Sequence, residues 1–231
     1  MANAHQAKGY AQDPHGWYRE PPDAVDALFH AIDFGDALIW DPCCGTGNTL
    51  DVAKKHGFET IGSDIVERGA RHRFYRSNFL LATKFPRHPS KPLSMVYNPP
   101  YNAPTGTTEQ FILKALDVVP FERMAVLVPQ NFLFGQERRG LIYTKTPPSH
   151  VCFLSKRPSM PPGAEVERLA AQGKDFKGGK VDFAWLVFTN GGPYRTEALW
   201  LDWEPPHTPS PRRIRPGSRS PSVSAASRKD A

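Results

Sequence analysis

Cysteine is scarce, with three in 231 residues: Cys43 and Cys44 are adjacent and Cys152 stands alone. Such a set cannot form the disulfide framework of a small secreted domain. No apolar run approaches the ~18 residues that span a bilayer, and the first sixteen positions lack the apolar core of a signal peptide. The expected compartment is therefore the cytoplasm. The histidines at 5, 15, 30, 56, 72, 88, 150 and 207 include no i, i+4 pair and stand in no cysteine spacing suited to zinc, so no metal is expected. Internal repeats are absent too.

What the chain has is enough apolar material, 39% of its residues, for one compact core. Apolar strand-like runs alternate with helix-like stretches from Ala37 to Val128, the pattern of an α/β parallel sheet with helices on both faces. Three regions are expected: a flexible amino-terminal arm over 1–16, a folded domain over 17–204, and a disordered tail over 205–231. The tail is Pro-, Ser- and Arg-rich, a composition that cannot bury enough surface to offset ordering entropy. It holds Arg212, Arg213, Arg215, Arg219, Arg228 and Lys229 against Asp230 alone, five of the chain's six net positive charges. The rest sums to about +1, and a basic tail supplies only salt-sensitive attraction to phosphate.

Three stretches carry chemistry. Ala37 to Asp51 reads as a strand, a tight loop with Gly45 and Gly47, and a helix start, which lets backbone N–H groups face a ligand. A second strand, Glu59 to Ile65, ends in Asp64, an acid suited to a ribose diol. Further on, Asn98-Pro99-Pro100-Tyr101 follows an apolar strand, Leu93 to Tyr97. Its prolines lock φ and remove donors, so the Asn98 side-chain oxygen and the Pro99 carbonyl can each accept one hydrogen of an amino group. The Tyr101 ring offers a stacking face.

In this order, Asp41-Pro42-Cys43-Cys44-Gly45-Thr46-Gly47, Asp64 and Asn98-Pro99-Pro100-Tyr101 resemble the S-adenosylmethionine-dependent amino-methyltransferases, which methylate adenine N6 or cytosine N4 in nucleic acids. Met124 to Gly135, Leu154 to Met160 and Val181 to Phe188 resemble the small phage-type adenine subgroup. The resemblance implies a Rossmann-like class I methyltransferase fold, a mostly parallel seven-stranded sheet ending in an antiparallel hairpin built from His150–Leu154 and Phe183–Phe188. It implies S-adenosyl-L-methionine as cofactor, held by Tyr18, Asp41, Pro42, Cys43, Gly45, Gly47, Asp64, Ile65, Asn78 and Phe79. Asn78 departs from the acid the family places there, and only Tyr18 and Pro21 match its element over the methionine end. Asn98, Pro99, Pro100 and Tyr101 take the catalytic places, and Tyr101 touches substrate; Lys156 and Arg157, near the expected late hairpin, are expected to touch phosphate or the flipped nucleotide.

The implied partner is nucleic acid, DNA first and RNA second, with no membrane and no metal. The same turn also serves enzymes that methylate a release-factor glutamine amide, and a degenerate nucleic-acid-binding module is a further alternative. Trp185 is expected in the core, and Cys43 as a small lining group rather than a nucleophile.

Overall fold

The computed structural model describes residues 15–101, 106–173, 179–192 and 195–202. The expected tail, and all but the last two residues of the expected arm, lie outside them. Eight strands form one sheet in the order β3-β2-β1-β4-β5-β7-β6-β8. They are β1 Leu38–Asp41, β2 Glu59–Asp64, β3 Arg73–Arg76, β4 Leu93–Tyr97, β5 Phe121–Pro129, β6 His150–Leu154, β7 Phe183–Thr189 and β8 Glu197–Leu201. β3, β2, β1, β4 and β5 pair in parallel, β7 runs antiparallel to both of its neighbours, and β8 pairs in parallel with β6.

Two expectations need correcting. The sheet has eight strands rather than seven, and the last strands form no simple hairpin. Helix α5, Gly163–Ala170, lies between β6 and β7, and β8 then adds to the outer edge of β6. The antiparallel pairing of β6 with β7 stands.

Successive side chains on a strand point to opposite faces, and both faces here are apolar. On one side Ile39, Val96, Ala125, Leu127, Trp185 and Val187 meet α1, Pro22–Ala31, and α2, Asn48–Lys55. On the other Trp40, Met95, Tyr97, Met124 and Val126 meet α3, Thr107–Val118, through Phe111, Ile112 and Ala115. A short helix α4, Gln136–Arg138, continues into a π-turn over Arg139–Tyr143 that adds Ile142 to this second layer. Trp185 is in the core, its indole N–H donating to the Ala24 carbonyl at 2.9 Å. No described helix is long and apolar enough to cross a membrane.

Because β1 and β4 are parallel neighbours, Asp41 and Asn98 emerge side by side at the carboxyl edge of the sheet. That edge is where open α/β sheets receive ligands.

Candidate active site

The loop after β1 turns on two glycines in the left-handed region, Gly45 at φ +54° and Gly47 at φ +93°. A Cβ on Gly45 would lie 2.3 Å from the Trp17 indole nitrogen, so the close approach of Trp17 also demands glycine there. Asp64, at the end of β2, braces the loop. Its Oδ2 accepts from the Gly45 N–H at 2.9 Å, and its Oδ1 accepts from the Val66 N–H and from Arg68 Nη1, both at 3.0 Å. Arg68 is itself laid over the Trp17 ring at 4.6 Å.

The turn after β4 touches this loop directly. The Cys43 thiol donates to the Asn98 carbonyl at 3.3 Å, while the Cys43 N–H donates to Asp41 Oδ1 at 3.0 Å. Burial and the neighbouring carboxylates push the Cys43 thiol well above its ordinary pKa, the opposite of what a thiolate nucleophile needs.

The Asn98 amide is held in one orientation. Its Nδ2 donates to the Tyr18 carbonyl at 2.9 Å and to Glu20 Oε2 at 3.0 Å. Both partners are acceptors, so the amide nitrogen is fixed inward and Oδ1 takes the other side. There it accepts from the Tyr101 hydroxyl, which also reaches the Leu127 carbonyl at 2.9 Å. The Tyr101 ring packs toward Phe183, with centroids 5.8 Å apart. Thr108 Oγ1 donates to the Pro100 carbonyl at 3.1 Å, whereas nothing among the described residues donates to the Pro99 carbonyl.

Glu20 is the residue the sequence reading missed. It is 7% exposed, and its Oε1 accepts from the Thr49 hydroxyl at 2.9 Å while Oε2 holds Asn98. Burial is the main cause of its raised pKa. Asp41 is 2% exposed and held well above the usual carboxylate range, first by burial and then by Glu20. Three buried carboxylates, Glu20, Asp41 and Asp64, thus surround the meeting point of the two loops, with Arg68 as their one close salt-bridge partner among the described residues.

The other expected residues fall as follows. Pro42 and Pro99 are buried beside their loops, and Tyr18, placed by an isolated β-bridge to Pro162, gives its carbonyl to Asn98 Nδ2. Ile65 is 39% exposed next to Asp64. Asn78 is exposed and caps a short 3-10 helix, its Oδ1 accepting from the Leu80 N–H at 3.1 Å. Phe79 packs into the second core layer against Trp40 and Phe111. Lys156 and Arg157 follow β6 at the carboxyl edge of the sheet, and Arg157 Nε pairs with Asp182 at 2.8 Å.

Away from the cleft, α1 and the end of α2 bring Asp26, His30 and His56 together, a grouping invisible in sequence because the two histidines sit on different helices. His56 Nε2 is hydrogen-bonded to Asp26 Oδ1 at 2.8 Å, and His30 Nδ1 is hydrogen-bonded to the Asp26 backbone carbonyl at 3.0 Å and lies 3.3 Å from Oδ2, so each imidazole already has a partner.

No family profile matches the chain, and no curated protein does. Solved structures do. A provisionally assigned RNA methyltransferase from Pyrococcus horikoshii superposes with a TM-score of 0.55 at 12% identity, over 80% of this chain and 93% of that one. The modification subunit of a provisionally assigned type I restriction enzyme from Vibrio vulnificus superposes with a TM-score of 0.52 at 17% identity, over 78% of this chain. This chain spans only 46% of that subunit. The chain has the fold of these two structures. A provisionally assigned hemolysin from Lactococcus lactis has it too, at a TM-score of 0.50 and 13% identity. Fold alone therefore assigns no reaction here, and a reaction has to be read from the site.

Proposed function

We propose that the chain transfers a methyl group from S-adenosylmethionine to an exocyclic amino group of a nucleobase, adenine N6 in DNA before other acceptors. The observation that carries this reading is the contact between the two loops, Cys43 thiol to Asn98 carbonyl at 3.3 Å, with the Asn98 oxygen turned away from its buried anchors. Donor and acceptor sites a single side chain apart suit an in-line transfer.

The residues fit the cofactor chemically. A cluster of three buried carboxylates with one close salt-bridge partner among the described residues suits a ligand bearing an ammonium and a sulfonium, whose positive charge would favour the ionised forms of Asp41 and Glu20. Ile65, beside Asp64, would cover the adenine. When bound, the cofactor supplies a methyl group already activated as a sulfonium.

The chain's own part is to make a poor nucleophile better. An exocyclic amine is conjugated with its ring, and its lone pair becomes available as hydrogen bonds draw the nitrogen toward tetrahedral geometry. Asn98 Oδ1 and the Pro99 carbonyl accept its two hydrogens and stabilise the positive charge that develops on nitrogen, worth several kcal/mol when such groups are pre-positioned. For that, the Tyr101 hydroxyl must leave Oδ1, which frees the ring to stack on the incoming base at ~1–3 kcal/mol. A paired base has to leave its helix to arrive there.

The test is tritiated methyl transfer to unmodified duplex DNA, to RNA and to a release-factor protein in parallel, with nucleoside digestion of the products. Label in N6-methyl-2′-deoxyadenosine from DNA is the expected result. Label only in protein, or none anywhere, overturns the proposal.

A further inference from the structure

The segment Arg68 to Lys91 contains seven lysines and arginines and no acid. The fold gathers part of this charge on one surface. Arg68 is spent on Asp64, and Lys91 on Asp36 and Glu59. Arg73, Lys84 and Arg87 are exposed and pair with no carboxylate among the described residues. All three line one groove of about 420 Å³ at the β3 edge of the sheet, together with Tyr75 and Phe85.

We propose that this groove binds the phosphate backbone of a nucleic acid, holding the strand whose base enters the Asn98 site. The inference deepens the proposed transfer and rests on it for the identity of the partner. The chemistry is complementary: unpaired cations in a row attract a polyanion, and half-buried aromatic rings between them accept bases or sugars. The location fits as well. β3 stands three strand spacings from β4, about 14 Å, and the groove lies about 10 Å back along the strands from the carboxyl edge, since Ile61 on its wall pairs with Arg73 three residues before Asp64. One turn of duplex, about 34 Å, spans both places. A protein acceptor would need acidic side chains at matching intervals, whereas a nucleic acid brings a charge at every step.

The experiment is an anisotropy titration of the full chain with a fluorescein-labelled DNA duplex of about two helical turns, repeated between about 50 and 250 mM salt. The triple variant Arg73→Ala, Lys84→Ala, Arg87→Ala is compared with the parent and with Arg73→Lys, Arg87→Lys. The triple variant is expected to bind roughly 10- to 100-fold more weakly near 0.1 M salt, with a log–log salt slope about 2.7 smaller, at about 0.9 for each phosphate no longer neutralised. The lysine variant is expected to keep the slope, and all forms the same affinity for S-adenosylmethionine and the same melting temperature within a few degrees. An unchanged slope in the triple variant overturns the inference. If the parent binds duplex through the groove but methylates nothing, the proposed reaction falls and the groove stands. If it methylates duplex while the triple variant keeps the full salt slope, the groove falls and the reaction stands.

Discussion

Replacing Glu20 by alanine tests whether the orientation of Asn98 is built rather than incidental. The substitution removes two hydrogen bonds, one from Asn98 Nδ2 at 3.0 Å and one from the Thr49 hydroxyl at 2.9 Å. The Tyr18 carbonyl remains as the sole acceptor for the amide nitrogen, so one of that nitrogen's two hydrogen bonds is gone. A hydrogen bond to a charged or buried partner contributes about 1.5–3 kcal/mol, of which the Asn98 share would appear as roughly a 10- to 100-fold loss in kcat. Glu20→Gln keeps an oxygen for Asn98 and turns its amino group to the Thr49 oxygen, so kcat within a few fold of the parent is expected. The assay is single-turnover methyl transfer, with cofactor affinity measured separately by calorimetry. On an Asn98→Ala background, Glu20→Ala should add almost nothing, because it acts through a side chain no longer present. Equal losses in the alanine and glutamine variants, or full additivity with Asn98→Ala, would refute the reasoning.

Three further outcomes follow from the same geometry. Asn98→Ala should cut transfer about 10²–10³-fold to a measurable residual rate while calorimetry finds cofactor affinity within a modest factor; turnover at the parental rate would remove the residue from the site. Tyr101→Phe deletes the hydroxyl that occupies Asn98 Oδ1 and bonds the Leu127 carbonyl, so urea unfolding should show a loss of about 1–2 kcal/mol, while the KM for the acceptor falls because nothing has to be displaced. Asp41→Asn should stabilise the ligand-free protein by about 1–2 kcal/mol at pH 8 and weaken cofactor binding. The sign follows from the raised pKa: the folded carboxyl keeps its proton where the unfolded one, near pH 4, has lost it. Stability from this group is thus complete below about pH 4 and lost as pH rises through the folded value, so unfolding curves of parent and variant should converge toward low pH.

The parts of the site that depend on local order were legible in the sequence. Gly45 and Gly47 follow an apolar strand, Asp64 ends the next one, and Asn98 opens a turn with two prolines, and the parallel pairing of β1 with β4 brings the first and last together. Glu20 escaped because its role depends on contacts across 29 and 78 positions, which no periodicity reports. β8 escaped because Glu197 and Trp200 point outward on a five-residue edge strand, leaving too few apolar positions to signal burial. Phe79 reads equally well as a pocket wall or as core, and packing with Trp40 and Phe111 placed it in the core. The groove was hidden by averaging: a fold near +1 conceals a stretch of seven cations balanced by acids elsewhere.

The eighth strand has one more consequence. β8 runs parallel to β6 and hence to β1, β4 and β5, so Leu201 ends on the margin that carries Asp41 and Asn98, at the far end of the sheet from β3. Whatever follows Leu201 therefore departs from the ligand-receiving margin of the sheet, four strand spacings or about 19 Å from β4.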